Sequence, residues 1–99
     1  MMRREGDRLV LSGALTLANA AETLRQGKAA IGEGARCVDL GEVGELDSSA
    51  LALLLALRRE AKRLDGDLEF TGLPQDLTTI ARLYGVADLL TASPASAHH

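Results

Sequence analysis

The sequence predicts an α/β domain, with a mixed sheet of four to five strands and about four helices that lie mainly on one face. Short apolar segments alternate along the chain with longer segments in which apolar residues recur every three or four positions. The predicted order is β-β-α-β-α-β-α. Strands separated by helices need crossover connections and pair in parallel, whereas a hairpin at the start of the chain makes the sheet mixed.

The first half of the chain predicts a hairpin, a helix and a third strand. The pair Gly6-Asp7 suits the turn of a hairpin, and Thr16 is a candidate N-cap for the helix, which glycines 32 and 34 end. The predicted elements are the strands Met1–Glu5 and Arg8–Ser12, the helix Leu17–Ile31, the strand Arg36–Leu40 and a loop over Gly41–Glu45.

The second half predicts two longer helices around a short strand. Pro74 suits the first turn of a helix, and Gly85 ends that helix. The predicted elements are a helix from Ser48 to about Leu64, the strand Leu68–Thr71, a helix from Pro74 to Tyr84 and a last turn over Val86–Leu90. We expect one domain over residues 1–90. The Ala/Ser-rich tail 91–99 is predicted to be disordered, and His98-His99 are either native or the remnant of a tag.

Composition limits the classes of function. The chain has 99 residues, 46% of them hydrophobic and 25% charged, which is typical of a small globular domain. The formal net charge is −3, and the aromatic residues are only Phe70 and Tyr84. A basic surface for nucleic acid and a platform for base stacking are therefore not expected.

Cysteine content and hydropathy predict where the protein acts. Cys37 is the only cysteine, so no intrachain disulfide can form, which fits a reducing cytoplasm. No apolar run follows the charged N-terminus, so we expect no signal peptide. The longest apolar run, Ala50–Leu57, is far short of the roughly 20 residues of a membrane span. Any membrane role is expected to act through a partner, and the isolated chain is expected to be a monomer or weak dimer.

Catalysis is not predicted. The only histidines, His98 and His99, lie in the tail, so a Ser-His-Asp arrangement lacks a positioned base. The Gly-x-x-Gly spacing at 41–44 lacks the Lys-Ser/Thr of a phosphate loop. The nearby acids Asp39, Glu42, Glu45 and Asp47 are interpreted as a solvated loop. We expect no enzyme activity, no cofactor and no metal.

The segment LDSSALALLLALRREA, residues 46–61, carries the main functional signal. On a helical projection its core stripe comprises Ala50, Leu54, Leu57, Ala61 and, beyond the segment, Leu64. A second sector contains Ser48, Leu51, Ala52, Leu55, Arg59 and, beyond the segment, Lys62. Either neighbouring loops or a helix cover its leucines, or the sector is a patch that binds a protein partner.

Asp47-Ser48-Ser49 allows two interpretations that do not exclude each other. Asp and Ser are preferred N-caps, because the first turn of a helix has free amides that need acceptors. A hydroxyl at a helix N-terminus can also carry a phosphate that those amides stabilise. The candidate interface is therefore Asp47, Ser48, Ser49, Leu51, Ala52, Leu55 and Arg59, with Ser48 as the candidate phosphorylation or docking residue.

Several motifs resemble the signature of STAS domains, the anti-sigma-factor antagonists and their relatives. They are Ser12-Gly13-Ala14-Leu15, Val38-Asp39-Leu40, Val43 and the segment 46–51, LDSSAL. The resemblance spans roughly Asp7 to Leu90 and implies a mixed sheet with helices mainly on one side. Ala50 departs from the pattern, because the family usually has glycine there.

Within the family, four further segments resemble the small STAS subunit of the bacterial Mla phospholipid-transport complex. They are Leu51–Leu57, Ala61-Lys62, Thr71-Gly72 and Ala81–Gly85. This resemblance implies a cytoplasmic protein, peripheral to the inner membrane, that binds and activates the ATPase of an ABC transporter maintaining lipid asymmetry, with Ser48 at the ATPase interface. In the anti-sigma-factor antagonists the same position is phosphorylated by a cognate kinase, which is the alternative function.

Overall fold

A computed structural model describes residues 2–91 and confirms the predicted α/β class. Eight elements follow one another along this part of the chain. They are β1 (Met2–Glu5), β2 (Arg8–Leu15), α1 (Ala20–Gly32), β3 (Cys37–Leu46), α2 (Ser48–Arg63), β4 (Glu69–Thr71), α3 (Gln75–Leu83) and α4 (Ala87–Thr91).

The four described strands form one mixed sheet in the order β1-β2-β3-β4. β1 pairs with β2 as an antiparallel hairpin, with Met2 opposite Leu11. β2 pairs in parallel with β3, and β3 in parallel with β4, so that Cys37 lies between Arg8 and Glu69. The predicted hairpin and parallel crossovers are therefore confirmed.

β3 extends through a segment that the sequence predicts as a loop. The strand runs to Leu46, whereas we expected it to end at Leu40. Val10 pairs with Asp39, Ser12 with Glu42 and Leu15 with Leu46, and one shift in register separates each pair from the next. β2 supplies register partners for Glu42, Val43 and Leu46, and the two glycines, Gly41 and Gly44, fall at the register shifts between the pairs, where glycine is readily accommodated. The predicted loop at 41–45 is therefore wrong.

α1 begins three residues later than predicted. Asn19 stands directly before the helix, and its side chain turns back to the preceding loop. Its Oδ1 accepts a hydrogen bond from the Thr16 amide at 3.0 Å, and its Nδ2 donates to the Ala14 carbonyl at 2.8 Å. These bonds hold the loop in a turn that competes with helix formation. Leu17, expected on the helix, lies in this loop and is 77% exposed.

The core lies between the sheet and the inner face of α2. Four of the five residues predicted for the core stripe are fully buried: Ala50, Leu54, Leu57 and Ala61. They meet buried residues of β2 and β3 in one cluster, and each large aliphatic side chain buried there contributes about 1.5–3 kcal/mol. Leu64 was predicted to end the stripe, but the helix ends at Arg63 and Leu64 is 37% exposed.

α1 packs very closely on α2 at one point. Gly27 of α1 is buried, and a Cβ atom added to it would lie 2.7 Å from Cδ2 of Leu57. The absence of a side chain at this position therefore lets the leucine of α2 fill the space between the two helices.

The last two helices complete the described chain. Pro74 has extended backbone angles and is the N-cap of α3, one residue before the first turn in which we predicted it. The predicted last turn is α4, which ends at Thr91. The predicted disordered tail otherwise lies outside the described residues.

Gly72 provides a test of the packing between β3 and the segment after β4. It has a φ of +64°, and an added Cβ would lie 2.7 Å from the backbone nitrogen of Gly41. We expect Gly72→Ala to lower the free energy of unfolding by about 3 kcal/mol or more, because the left-handed backbone costs about 1–2 kcal/mol and the contact adds to it. Urea denaturation measures the change.

Gly85→Ala is the matched control. Gly85 has a φ of +72°, but no heavy atom lies within 4 Å of its added Cβ. The free energy of unfolding of this variant should fall only by the cost of the left-handed backbone, about 1–2 kcal/mol. Equal losses for the two variants would show that the contact with Gly41 does not matter.

Candidate functional site

The candidate site forms where β2 and β3 end. Because the two strands are parallel, their carboxyl ends lie at the same edge of the sheet, with Leu15 opposite Leu46. The loop to α1 leaves from the first strand, and α2 starts two residues beyond the second. The start of α2 therefore lies beside the loop that contains Leu17.

Asp47 joins these two segments. It is the N-cap of α2, and its Oδ1 accepts a hydrogen bond from the Ser49 amide at 2.8 Å. Its Oδ2 accepts a second bond from the Leu17 amide at 3.1 Å. The amide of Leu17, and then that of Ser49, lowers the pKa of the Asp47 carboxyl below its usual value. The capping interpretation of this residue is correct, and the same carboxylate also fixes the loop.

Ser48 is exposed in the first turn of α2. Its neighbour Asp47 supplies the cap, so the start of the helix does not depend on the Ser48 hydroxyl. Ser48 is therefore available for contact or modification without loss of the cap.

Most of the predicted outer sector does lie at the surface. Ser48, Ala52 and Arg59 are exposed, and Leu55 is half-buried against the core. These four residues follow one another at intervals of four, three and four, so they form one line along the helix. We call this line the α2 ridge.

Leu51 corrects the prediction. It is only 4% exposed and belongs to the core, whereas we placed it on the outer sector. Its angle on the helix lies between the core stripe and the ridge, and this flank of α2 is closed by α3 and α4, both of which contact the helix. The alternative in which a neighbouring helix covers the leucine is therefore correct for Leu51, and this residue cannot offer a surface to a partner.

An apolar groove lies on the other flank of the ridge, between α1 and α2, and the sequence did not predict it. It has a volume of about 440 Å³ and reaches from the exposed Leu17 along the N-terminal halves of both helices. Its lining residues are Leu17, Ala20, Ala21, Leu24, Ser49, Ala52, Leu53 and Ala56. The half-buried Ser49 thus faces the groove rather than the ridge.

The groove escaped prediction because the sequence places Leu17 inside the predicted helix α1 rather than in the loop before it. The available signal was Asn19, a residue that favours turns and helix boundaries over helix interiors. A helix starting after Asn19 would have left Leu17 in the loop.

Residues 2–91 contain no group of three His, Cys, Asp or Glu side chains placed to hold a metal ion. Over the same residues, no helix combines the length and the apolar composition needed to cross a membrane. Cys37 is half-buried, with its Sγ 3.9 Å from Oγ1 of Thr71. The surface features at this end of the sheet are the α2 ridge, the apolar groove and the capped first turn of α2.

Comparison with known proteins assigns the chain to a family. The family model described as Mlab, STAS domain, matches residues 1–91. The chain therefore belongs to the STAS domain family. The MlaB proteins of Escherichia coli K12 and Shigella flexneri, each named as the binding protein of an intermembrane phospholipid transport system, are each 35% identical to it over 86 residues. Each match covers 86% of this chain and 88% of the relative.

Solved structures with lower sequence identity share the fold. The unphosphorylated anti-sigma-factor antagonist SpoIIAA is 17% identical, with a TM-score of 0.64 over 84% of this chain and 81% of its own. A candidate anti-sigma-factor antagonist from Thermotoga maritima is 14% identical, with a TM-score of 0.71 over 92% of this chain and 82% of its own. At these identities the likeness concerns the fold.

Asp47 predicts a pH dependence of stability. Because its pKa is lowered in the folded chain, its hydrogen bonds stabilise the fold above the unfolded pKa of about 3.9, and this stabilisation is lost as the pH falls through the folded pKa. We expect Asp47→Ala to be less stable than the wild type at pH 7, with a difference that shrinks towards pH 3. Urea denaturation over this range measures it.

Asp47→Asn is the control for charge. The amide oxygen can still cap α2, but the amide nitrogen cannot accept the bond from Leu17. Its stability should lie between those of the wild type and Asp47→Ala. A difference between wild type and Asp47→Ala that does not vary with pH would contradict a role for the ionised carboxylate.

Proposed function

We propose that this chain is a non-enzymatic regulatory subunit that binds and activates the cytoplasmic ATPase of a Mla-type phospholipid ABC transporter. The α2 ridge is the proposed contact, with Asp47 and Ser49 holding its first turn. In this proposal the chain is cytoplasmic, and the ATPase holds it beside the inner membrane.

The exposed line of Ser48, Ala52 and Arg59 carries this proposal. A helix held to its sheet by a fully buried face is rigid, so a partner that docks on the opposite side loses little conformational entropy. Ala52 adds only a methyl group to the surface, which allows a partner's side chains to approach the helix closely. The relatives that share 35% identity are named as binding proteins of a phospholipid transport system, and this supports the choice of partner.

Leu55 contributes apolar surface to the ridge, although its side chain is half-buried. It packs partly against the core and partly towards the surface. An interface that contains an apolar centre with a hydroxyl at one end and a guanidinium at the other resembles the usual arrangement of an apolar core with a polar rim.

Ala52→Glu tests the ridge directly. The substitution keeps a good helix former, but it places a carboxylate where the partner is proposed to bury the methyl group. We expect binding of the purified ATPase to weaken about tenfold or more, because burying an unpaired charge costs several kcal/mol. Biolayer interferometry measures the Kd, and ATP hydrolysis measures activation.

Ala29→Glu is the matched control, because Ala29 is an exposed alanine inside α1 and lies outside the ridge. This variant should bind the ATPase with the wild-type Kd. If Ala52→Glu binds and activates as well as Ala29→Glu does, the ridge is not the contact surface.

A phosphorylation switch at Ser48 is the second candidate function, in which the chain is an anti-sigma-factor antagonist released from its kinase by phosphorylation. The exposure of Ser48 in a helix first turn favours it. A phosphate there adds about −1.5 to −2 charges at pH 7 beside the carboxylate of Asp47.

Ser48→Asp and Ser48→Ala distinguish the two functions. If the ATPase contacts this residue, Ser48→Asp should weaken ATPase binding several-fold, and Ser48→Ala should weaken it less, because it adds no charge. Intact mass after incubation with a cognate kinase and ATP tests the switch. A gain of one phosphate that disappears in Ser48→Ala, together with no ATPase binding, would favour the antagonist over the transporter subunit.

A further inference from the structure

A second groove lies along the C-terminal half of α2, on the side of α4. Leu55 and Leu89 give it an apolar surface, whereas Arg58, Arg59 and Lys62 give it positive charge. Its volume is about 250 Å³, and Leu89 is 50% exposed. We call it the basic groove.

Arg58 is part of the structure of the basic groove. Its guanidinium donates a hydrogen bond to the Leu89 carbonyl and lies 6.0 Å from the ring centroid of Phe70. The hydrogen bond fixes α4 against α2 and so holds Leu89 at the edge of the groove, whereas the contact with Phe70 links α2 to β4. The groove is therefore formed before any partner arrives.

Arg59 and Lys62 differ from most of the other basic residues. Both are exposed, and within residues 2–91 neither forms an ion pair. Five other arginines do pair with carboxylates: Arg3, Arg4, Arg8, Arg25 and Arg63. The neighbouring Glu60 binds Arg63 and so does not neutralise the groove. Two adjacent uncompensated cations thus lie beside apolar side chains on a chain whose net charge is −3.

We infer that the basic groove binds an acidic segment of the ATPase partner that carries a large apolar side chain. The carboxylates pair with Arg59 and Lys62, and the apolar side chain lies between Leu55 and Leu89. The volume is below the roughly 300–1,000 Å³ of pockets that enclose small ligands, so it fits one side chain of a protein rather than a whole small molecule.

Charge favours a protein segment over a membrane surface. Recruitment to anionic lipids uses clusters of about four to eight Lys or Arg residues, each worth about 1 kcal/mol. The basic groove has two unpaired cations, and the negative chain as a whole is repelled by an anionic bilayer.

This inference rests on the proposed function, because the basic groove continues the α2 ridge. Leu55 and Arg59 belong to both surfaces. Lys62 lies ten residues after Ala52, or about 15 Å along the helix, so one partner surface can cover both. At this end of α2, the proposed partner surface is both acidic and apolar.

The test compares two double charge reversals with the wild type. Arg59→Glu/Lys62→Glu reverses both cations of the groove, and Lys28→Glu/Arg82→Glu reverses two exposed cations on α1 and α3. Both doubles change the net charge equally. Circular dichroism verifies folding, and the Kd for the purified ATPase is measured at about 0.1 M and about 1 M salt, where the Debye length falls from about 10 Å to about 3 Å.

The groove double should bind the ATPase about tenfold more weakly than the wild type at low salt, because attraction is replaced by repulsion. The control double should bind nearly as the wild type does. The wild-type Kd should rise with salt, whereas that of the groove double should not. Leu89→Ser, which removes only apolar surface, should also weaken binding, and it should leave the salt dependence unchanged.

Each of the other outcomes contradicts one part of the proposal. If the wild type does not bind the ATPase, the proposed function is wrong and this inference is lost with it. If the wild type binds and the groove double has the same Kd, neither the basic groove nor Arg59 of the α2 ridge is a contact, whereas the proposal that the chain binds the ATPase stands. If the groove double instead loses binding to vesicles with anionic lipid and retains ATPase binding, the occupant is a membrane and not an acidic segment.

Discussion

The parallel pairing of β2 with β3 is the constraint on which the rest of the structure depends. It forces the chain to cross over through α1, and it brings the carboxyl ends of both strands to one edge, with Leu15 opposite Leu46. The loop after the first strand and the helix after the second are then neighbours. Only in this arrangement can the Asp47 carboxylate accept amides from both Leu17 and Ser49. A parallel sheet thus provides a site whose two halves are separated by some thirty residues in sequence.

α2 carries both the attachment to the sheet and the proposed partner surface, because its residues face in different directions. Leu54 and Leu57 bind it to the core, which fixes its orientation over the sheet. The outer side carries the exposed Ser48 and Ala52. Substitution of these residues has little effect on the packing of the core. Proteins of this fold can therefore vary their partner contacts without altering the packing that defines the fold, provided that the cap and the buried stripe are retained.

Periodicity was sufficient to predict the order of elements, the hairpin, the parallel sheet and most of the core stripe, because each of these depends on local spacing. It was insufficient where a distant element decides. An angle on a helical wheel places Leu51 on a flank, but only α3 and α4 determine that the flank is covered. The segment 41–45 is glycine-containing, and only its pairing with β2 makes it a strand. The basic groove depends on α4, whose five residues are too few to show a period. The resemblance to STAS domains identified Ser48 but not the groove beside it.

Gly27 sets how closely α1 approaches α2 at a point about two turns from the start of the first helix, where Leu57 fills the space that a side chain would need. The apolar groove begins on the N-terminal side of this contact. A larger residue at this position would push α1 and α2 apart and so change the width of the groove. The identity of every residue that lines the groove would stay the same. The shape of the surface beside the proposed contact is therefore set partly by a buried residue, and a comparison of exposed residues alone would overlook it.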